Sequence, residues 1–294
     1  MERVNVLEDG TIDLVDLESK LGRNDKNPEQ PLIVCLAAGE LNCGTFDPIG
    51  KVVQLVKSHC TNSWVHVDGA FGLWAAASEN YRHLTDGMEH ADSWVTDGHK
   101  VLQLPQDHGF CFIQNEQAHI ETFSIHAAYA LTDHLKRHDE SDLAGMLSLS
   151  GPPRDQYMFG LEWSRRAKGY TIYATLRHLG RQGVARLFEN MCQQAKYLVD
   201  SLEGVPNIQV VSKPIINQGL VRFVKDGNMD ASDQYTDHII AVINESRRVW
   251  FGGTMWKGMR VMRISVCSHL CSKEDVDEAV NIIRTALLES TDCK

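Results

Sequence analysis

A chain of 294 residues with 43% apolar side chains can bury a sizeable core, as one large domain or two smaller ones. Its 39 Asp and Glu against 29 Lys and Arg leave a net charge of −10, which argues against a general nucleic-acid binder, since such proteins carry basic patches. No apolar run is long enough to span a bilayer, the N-terminus lacks the regions of a signal peptide, and eight scattered Cys read as reduced thiols of a cytoplasmic protein.

In chain order, residues 4–7 fit a short strand and Glu8-Asp9-Gly10 a turn. Leu14, Leu17 and Leu21 fall at helical spacing. After a polar loop, residues 31–38 form a continuous apolar run, the pattern of a parallel strand buried on both faces. Residues 39–47 then make a loop, and Pro48 suits the first position of a helix reaching about His59. Residues 64–67 are the next strand. Strand, helix, strand implies a parallel sheet with a right-handed crossover. Residues 71–77 are apolar and small, suited to close packing. Residues 93–96 form a further strand, and residues 109–113 another, expected to be antiparallel because its connection is short.

Residues 116–153 are weakly patterned and read as a long functional loop such as a lid. Helices are expected at 159–180 and 182–202, the second with Val184, Leu187, Met191, Ala195 and Leu198 on one face. Strands follow at 208–211, 219–224 and 259–266, with a helix at 232–245 between the last two. Ser272-Lys273-Glu274-Asp275 has the form of a capping box. It opens a final helix with Val276, Val280, Ile283 and Leu287 stacked together. The pattern divides the chain into residues 1–180 and a small α+β domain, 181–294.

Two strands end in polar groups. Trp64-Val65-His66-Val67 is followed by Asp68-Gly69-Ala70, and Ser93-Trp94-Val95-Thr96 by Asp97-Gly98-His99-Lys100. Open α/β sheets bind ligands at the C-terminal ends of their strands. An Asp and a Lys delivered there are the two groups a pyridoxal phosphate (PLP) enzyme needs. The amine forms a Schiff base with the cofactor aldehyde, and the carboxylate keeps the pyridine nitrogen protonated so that the ring accepts electrons. Each residue alone has a plainer reading. Asp68 could cap the next turn. Lys100 could be a surface lysine, His66 a polar-face strand residue, and His99 a structural imidazole.

The ordered set of motifs resembles the group II PLP-dependent amino-acid decarboxylases of fold type I. The two stretches above resemble that family's HVDAA and D-x-HK motifs. Residues 38–49, Ala-Gly-Glu-Leu-Asn-Cys-Gly-Thr-Phe-Asp-Pro-Ile, resemble its GTxxxGxFDPI segment. Leu104-Pro105-Gln106-Asp107-His108-Gly109 resembles VPYDCG, and Ser164-Arg165-Arg166-Ala167 resembles SRRA. The likeness runs in order from near Val4 to near Thr285.

The resemblance implies an α/β fold type I large domain, incomplete at its N-terminus, plus a small α+β C-terminal domain. It implies a homodimer, pyridoxal 5′-phosphate as cofactor, an L-amino acid as substrate and CO₂ as product. Lys100 would be the Schiff-base lysine, Asp68 the partner of the ring nitrogen, Ala70 the small residue under the ring, and His99 a neighbour of the phosphate. A catalytic tyrosine of the family's mobile loop has Tyr129 and Tyr157 as local candidates. Arg263, in a stretch resembling LRISVxN, is a candidate for the substrate carboxylate, its plainer reading being an inter-strand salt bridge. An aminotransferase, another carbon–carbon lyase, or a non-catalytic protein that keeps the fold are the alternatives.

The resemblance also shows departures. Val101 stands where the family usually has Trp. The family's phosphate-binding loop and ring-stacking His precede the region matched here, so the chain corresponds to the C-terminal part of the usual one and is expected to retain PLP weakly. Two groupings of soft ligands, His134 with His138 and Cys267-Ser268-His269-Leu270-Cys271, lack a full zinc set, and no metal is expected.

Overall fold

The structure is a computed structural model and describes residues 1–24, 30–123, 159–162, 164–225 and 228–292. Met1–Phe112 and Tyr170–Lys294 form one unit, and Ile113–Gly169 another. Two four-stranded sheets organise the described residues.

The first sheet begins with β1 (Leu32–Ala37), reached after helix α1 (Leu14–Asn24). Helix α2 (Ile49–His59) leads to β2 (Ser63–Asp68), and β3 (Ser93–Asp97) and β4 (Gly109–Ile113) follow in the order β1-β2-β3-β4. β1 pairs parallel with β2, from Leu32 opposite Ser63 to Ala37 opposite Asp68. β2 pairs parallel with β3, with Asp68 opposite Val95. Val34, Leu36, Val65 and Val67 pack against Val52, Val53 and Val56 of α2 and against Leu17 and Leu21 of α1.

The expectation that β1 is buried on both faces is corrected. Ile33 is 70% exposed and Cys35 is exposed, because among the described residues the helices of this layer cover only the face carrying Val34 and Leu36. Residues 4–7 form no strand; Val6 makes one isolated bridge to Ile12. Pro48 sits at the cap, just before α2 starts. The run from β2 to β3 contains three 3₁₀ turns (Leu73–Ala77, Arg82–Thr85, Met88–His90). Asp92 pins the two strands, accepting from the Val65 N–H at 2.6 Å and pairing with Lys57 at 2.8 Å.

The Phe46-Asp47-Pro48-Ile49 segment proves to be a tether. The Asp47 carboxylate accepts from the backbone N–H groups of Ile12 and Ala37, each at 2.7 Å, joining the N-terminal segment to the end of β1. Burial pushes its carboxyl above the ordinary range, although both bonds oppose the shift.

The second sheet follows α4 (Lys168–Leu202) and comprises β5 (Ile208–Ser212), β6 (Gln218–Phe223), β7 (Gly252–Trp256) and β8 (Met259–Ser265). Their order is β5-β6-β8-β7, and every pairing is antiparallel. Helix α5 (Met229–Glu245) precedes β7, and α6 (Lys273–Asp292) closes the chain. β6 is buried at every position. Its Val221 and Phe223 meet Leu198 and Leu202 of α4, Ile239 and Ile243 of α5, and Ile283 of α6 in one core. The expected stack of Val276, Val280, Ile283 and Leu287 is all buried. The capping box is formed as well: Asp275 Oδ2 accepts from the Ser272 N–H at 2.8 Å, and Ser272 Oγ from the Asp275 N–H at 3.2 Å.

Two helix starts differ from the sequence reading, and one strand is absent from it. α4 begins at Lys168, and the described residues before it, from Phe159, lie outside any α-helix. The break expected between two helices is real, because Gly180 has φ 61° and ψ 176° within α4. α5 starts at Met229, where Asn228 Oδ1 caps the N–H groups of Asp230 and Ala231 at 2.9 and 3.2 Å. β7 escaped prediction because Gly252-Gly253 has little strand propensity. The pairing is set by a two-residue turn at Lys257-Gly258, both left-handed (φ 50° and 78°), as tight hairpins prefer.

In the second unit, helix α3 (Glu116–Phe123) replaces the start of the expected long loop. Asn115 Oδ1 accepts from the Ala118 N–H at 3.1 Å near its start. Tyr129, Tyr157, His134 and His138 lie outside the described residues.

Candidate active site

The parallel pairing of β2 with β3 brings the ends of two neighbouring strands together. Asp68 ends β2, and the Asp97-Gly98-His99-Lys100 turn continues β3. Close approach of the surrounding loops depends on glycine. A Cβ at Gly72 would lie 2.4 Å from the Ala38 carbonyl oxygen, and at Gly39, whose φ is +83°, 2.7 Å from Gly72 N. The Gly72 N–H instead donates to Ala38 O at 3.0 Å, locking the loop after β1 onto the turn after β2.

Lys100 is partly buried, with its Nζ 2.7 Å from Asp97 Oδ2 and 4.0 Å from the centre of the Phe71 ring. The amine is thus held by a carboxylate on one side and an aromatic face on another. Asp68 is exposed at the end of β2. Its Oδ1 accepts from the Ala70 N–H at 3.0 Å, so Asp68 does cap the turn that follows it. Ala70 is partly buried beside Phe71. His99 Nδ1 is 3.4 Å from the His108 carbonyl oxygen and 3.9 Å from Asp97 Oδ1, so it faces the same carboxylate as Lys100. His66 shares the Ser93 hydroxyl with Trp64, each at 2.7 Å, and serves the strand pairing.

Arg263, on β8, reaches the same place. Its guanidinium carbon is 5.7 Å from the Phe71 ring centre, and its Nε donates to Leu41 O at 2.7 Å. The Leu41 loop is held by Glu40, which accepts from the N–H groups of Asn42 and Cys43 at 2.8 Å each. Arg263 therefore binds a loop carbonyl, in place of the inter-strand salt bridge of its plainer reading. Burial lowers the guanidinium's pKa from its ordinary value.

Sequence reasoning missed three residues of this cluster. Asp97 stood in the quoted motif, and its position three residues before Lys100 was the available signal. Phe71 was seen only as an apolar neighbour. Gln103, with φ 56°, donates to Lys100 O at 2.5 Å and also to Cys267 O. Only the packing of the β8 end against the Lys100 turn reveals it.

Residues 1–225 match the family described as "Pyridoxal-dependent decarboxylase conserved domain". The chain belongs to this family. Tyrosine decarboxylase 2 of Arabidopsis thaliana is 24% identical over 259 residues, covering 86% of this chain and 44% of that protein. Aromatic-L-amino-acid decarboxylase of Cavia porcellus is 23% identical over 254 residues, covering 86% and 48%. The chain thus spans about half the length of such curated relatives. Among solved structures, Oryza sativa TDC with PLP and tryptamine superposes with a TM-score of 0.84 at 20% identity, over 96% of this chain and 56% of that one. Mouse CSAD in apo form gives 0.80 at 19% identity, over 96% and 57%. The fold is therefore the α/β architecture of fold type I, and pyridoxal phosphate is the family's cofactor.

The residues present fit that cofactor. A partly exposed amine suits an aldehyde, and an exposed carboxylate on the adjoining strand suits a ring nitrogen.

Proposed function

We propose that this chain binds pyridoxal 5′-phosphate through Lys100 and serves the decarboxylation of an L-amino acid. The observation that carries the reading is the placing of Lys100 and Asp68 at the ends of two adjacent parallel strands. The cofactor, when bound, supplies an electron sink for the pair left on Cα as the carboxylate departs as CO₂.

The remaining work falls to this chain's own side chains. Lys100 Nζ is the nucleophile toward the cofactor aldehyde, and Asp97 Oδ2 at 2.7 Å holds it in position at the end of β3. Asp68 supplies a fixed negative charge at the end of β2, which favours a protonated ring nitrogen. Ala70 and Phe71 give the site its apolar wall, and His99 offers a second ring nitrogen on the Asp97 side. Arg263, its Nε held by the Leu41 carbonyl, is the candidate cation for the substrate carboxylate.

A PLP titration followed by absorbance, then borohydride reduction and peptide mapping, tests the assignment. A visible band and label on Lys100 are expected; label on another lysine overturns it. Release of CO₂ from a panel of L-amino acids separates decarboxylation from transamination, which would yield a keto acid instead. We further propose that the functional division of the chain falls at Gly180, where the backbone of α4 breaks.

A further inference from the structure

One aromatic ring in the site meets two cations that come from different sheets. Phe71 lies in the turn that follows β2. Lys100 Nζ, from the turn after β3, is 4.0 Å from its ring centre. The Arg263 guanidinium carbon, from β8 of the antiparallel sheet, is 5.7 Å from the same centre. Tyr197, Tyr235 and Trp256 each face one cation, and among the described residues Phe71 alone faces two. The face of such a ring is electron-rich and draws positive charge toward its centre.

The ring is itself anchored. Phe71 is 6% exposed and belongs to a core cluster with Ala75, Val101, Phe188 and Ile216. Its backbone is held on both sides, by the Gly69 N–H donating to Val95 O at 2.9 Å and the Gly72 N–H donating to Ala38 O at 3.0 Å. The two cations end long, flexible side chains, and their other ties are separate. Asp97 stands three residues before Lys100, so that ion pair fixes the amine only relative to its own turn. Arg263 donates to Leu41 O at 2.7 Å and to Ser265 Oγ at 3.4 Å, and among the described residues no carboxylate pairs with it. Gln103 joins the two backbones through carbonyl oxygens and leaves both charged ends to the ring.

We propose that Phe71 is a positioning residue that sets the separation between the Lys100 amine and the Arg263 guanidinium. This rests on the functional reading above, in which Lys100 takes the cofactor aldehyde and Arg263 the substrate carboxylate. The amine and carboxylate of an α-amino acid are joined through one carbon, so the protein groups that serve them must keep a fixed spacing. A buried ring that meets both charges supplies that spacing, and small misplacements in such a site are costly.

The experiment begins with the full chain without PLP. Acetic anhydride labels amines, phenylglyoxal labels guanidinium groups, and mass spectrometry maps the rates at Lys100 and Arg263. Lys196 and Arg248, held by carboxylates elsewhere, are the references. Phe71 is replaced by a trifluorinated phenylalanine, which keeps the ring's shape and weakens its negative face, and separately by Leu (Phe71→Leu). With the fluorinated ring both rates are expected to rise about two- to fivefold against the references, the range of one exposed cation–π contact. Phe71→Leu should raise them at least as far. Parent rates with the fluorinated ring overturn the proposal, because a residue that merely fills space would respond to Leu alone. A rise at only one of the two cations also overturns it. Should Phe71→Leu fail to fold, the fluorinated ring still decides. PLP is then titrated into the parent and the fluorinated protein, and uptake is expected to weaken by a similar factor. Failure of the parent to take up PLP overturns the functional reading, while the labelling rates still decide whether the ring holds both cations.

Discussion

Every residue of β6 is buried, whereas β1 exposes Ile33 and Cys35 and β2 ends on an exposed Asp68. The antiparallel sheet packs Val221 and Phe223 against α4, α5 and α6 on one face, and Leu220 against Cys43 on the other. The parallel sheet buries one face in helices and keeps polar groups at its strand ends. Apolar burial is thus concentrated in the antiparallel half, and the residues of the proposed site lie at the rim of the parallel half. A charge needed for catalysis sits most cheaply where water still reaches it, and a large apolar side chain contributes most where water does not.

Substitutions in the two halves should therefore separate cofactor uptake from stability. Lys100→Ala has the largest expected effect: the visible band on PLP addition is abolished. Its partly exposed pair with Asp97 belongs to a class worth about 0–1 kcal/mol, so urea unfolding moves little. A drop well beyond that range would mean the site is also a structural keystone, and the contrast between the halves would fail.

Ile283→Ala, on α6 in the antiparallel core, should cost about 2–5 kcal/mol, read as a lower urea midpoint with the same slope. PLP uptake by the folded fraction should stay at the parent level.

Asp68→Asn keeps an oxygen to accept the Ala70 N–H while removing the charge. We expect PLP affinity to weaken about tenfold, equivalent to about 1.4 kcal/mol, with unfolding unchanged. Parent-like affinity and turnover would rule out the role of Asp68.

The last prediction concerns a pH slope, at Asp47. Burial raises its native pKa above the unfolded value, so in the window between them the native state binds more protons and stability falls as pH rises. The stability of the parent relative to Asp47→Asn should decline with rising pH from about 3.8 upward. Asn offers one acceptor where the carboxylate serves two N–H groups, so the variant should also be weaker overall by about 1–3 kcal/mol. A difference that grows with pH would show that the two backbone bonds outweigh burial.

Much of this architecture was legible because it is local. The Val65/Val67 alternation, the Ser272–Asp275 box and the Val276-to-Leu287 stripe each depend on residues a few positions apart. The Asp68 and Lys100 motifs were legible for the same reason. β7 was hidden because two glycines carry no side-chain pattern, and a neighbouring strand supplied the pairing that propensity withheld. The exposure of Asp68 and Ile33 was hidden because burial depends on what covers a strand.

Sequence alone determined the strand-end positions of Asp68 and Lys100, the capped C-terminal helix and the apolar faces, since backbone periodicity and turn chemistry act over one or two turns of chain. Only the tertiary structure decided that Phe71 lies against Lys100, that Arg263 reaches the same ring, and that Gln103 joins Lys100 to Cys267. Those contacts bring residues from opposite ends of the chain together through sheet register and loop packing, and no spacing along the sequence encodes a distance of that kind.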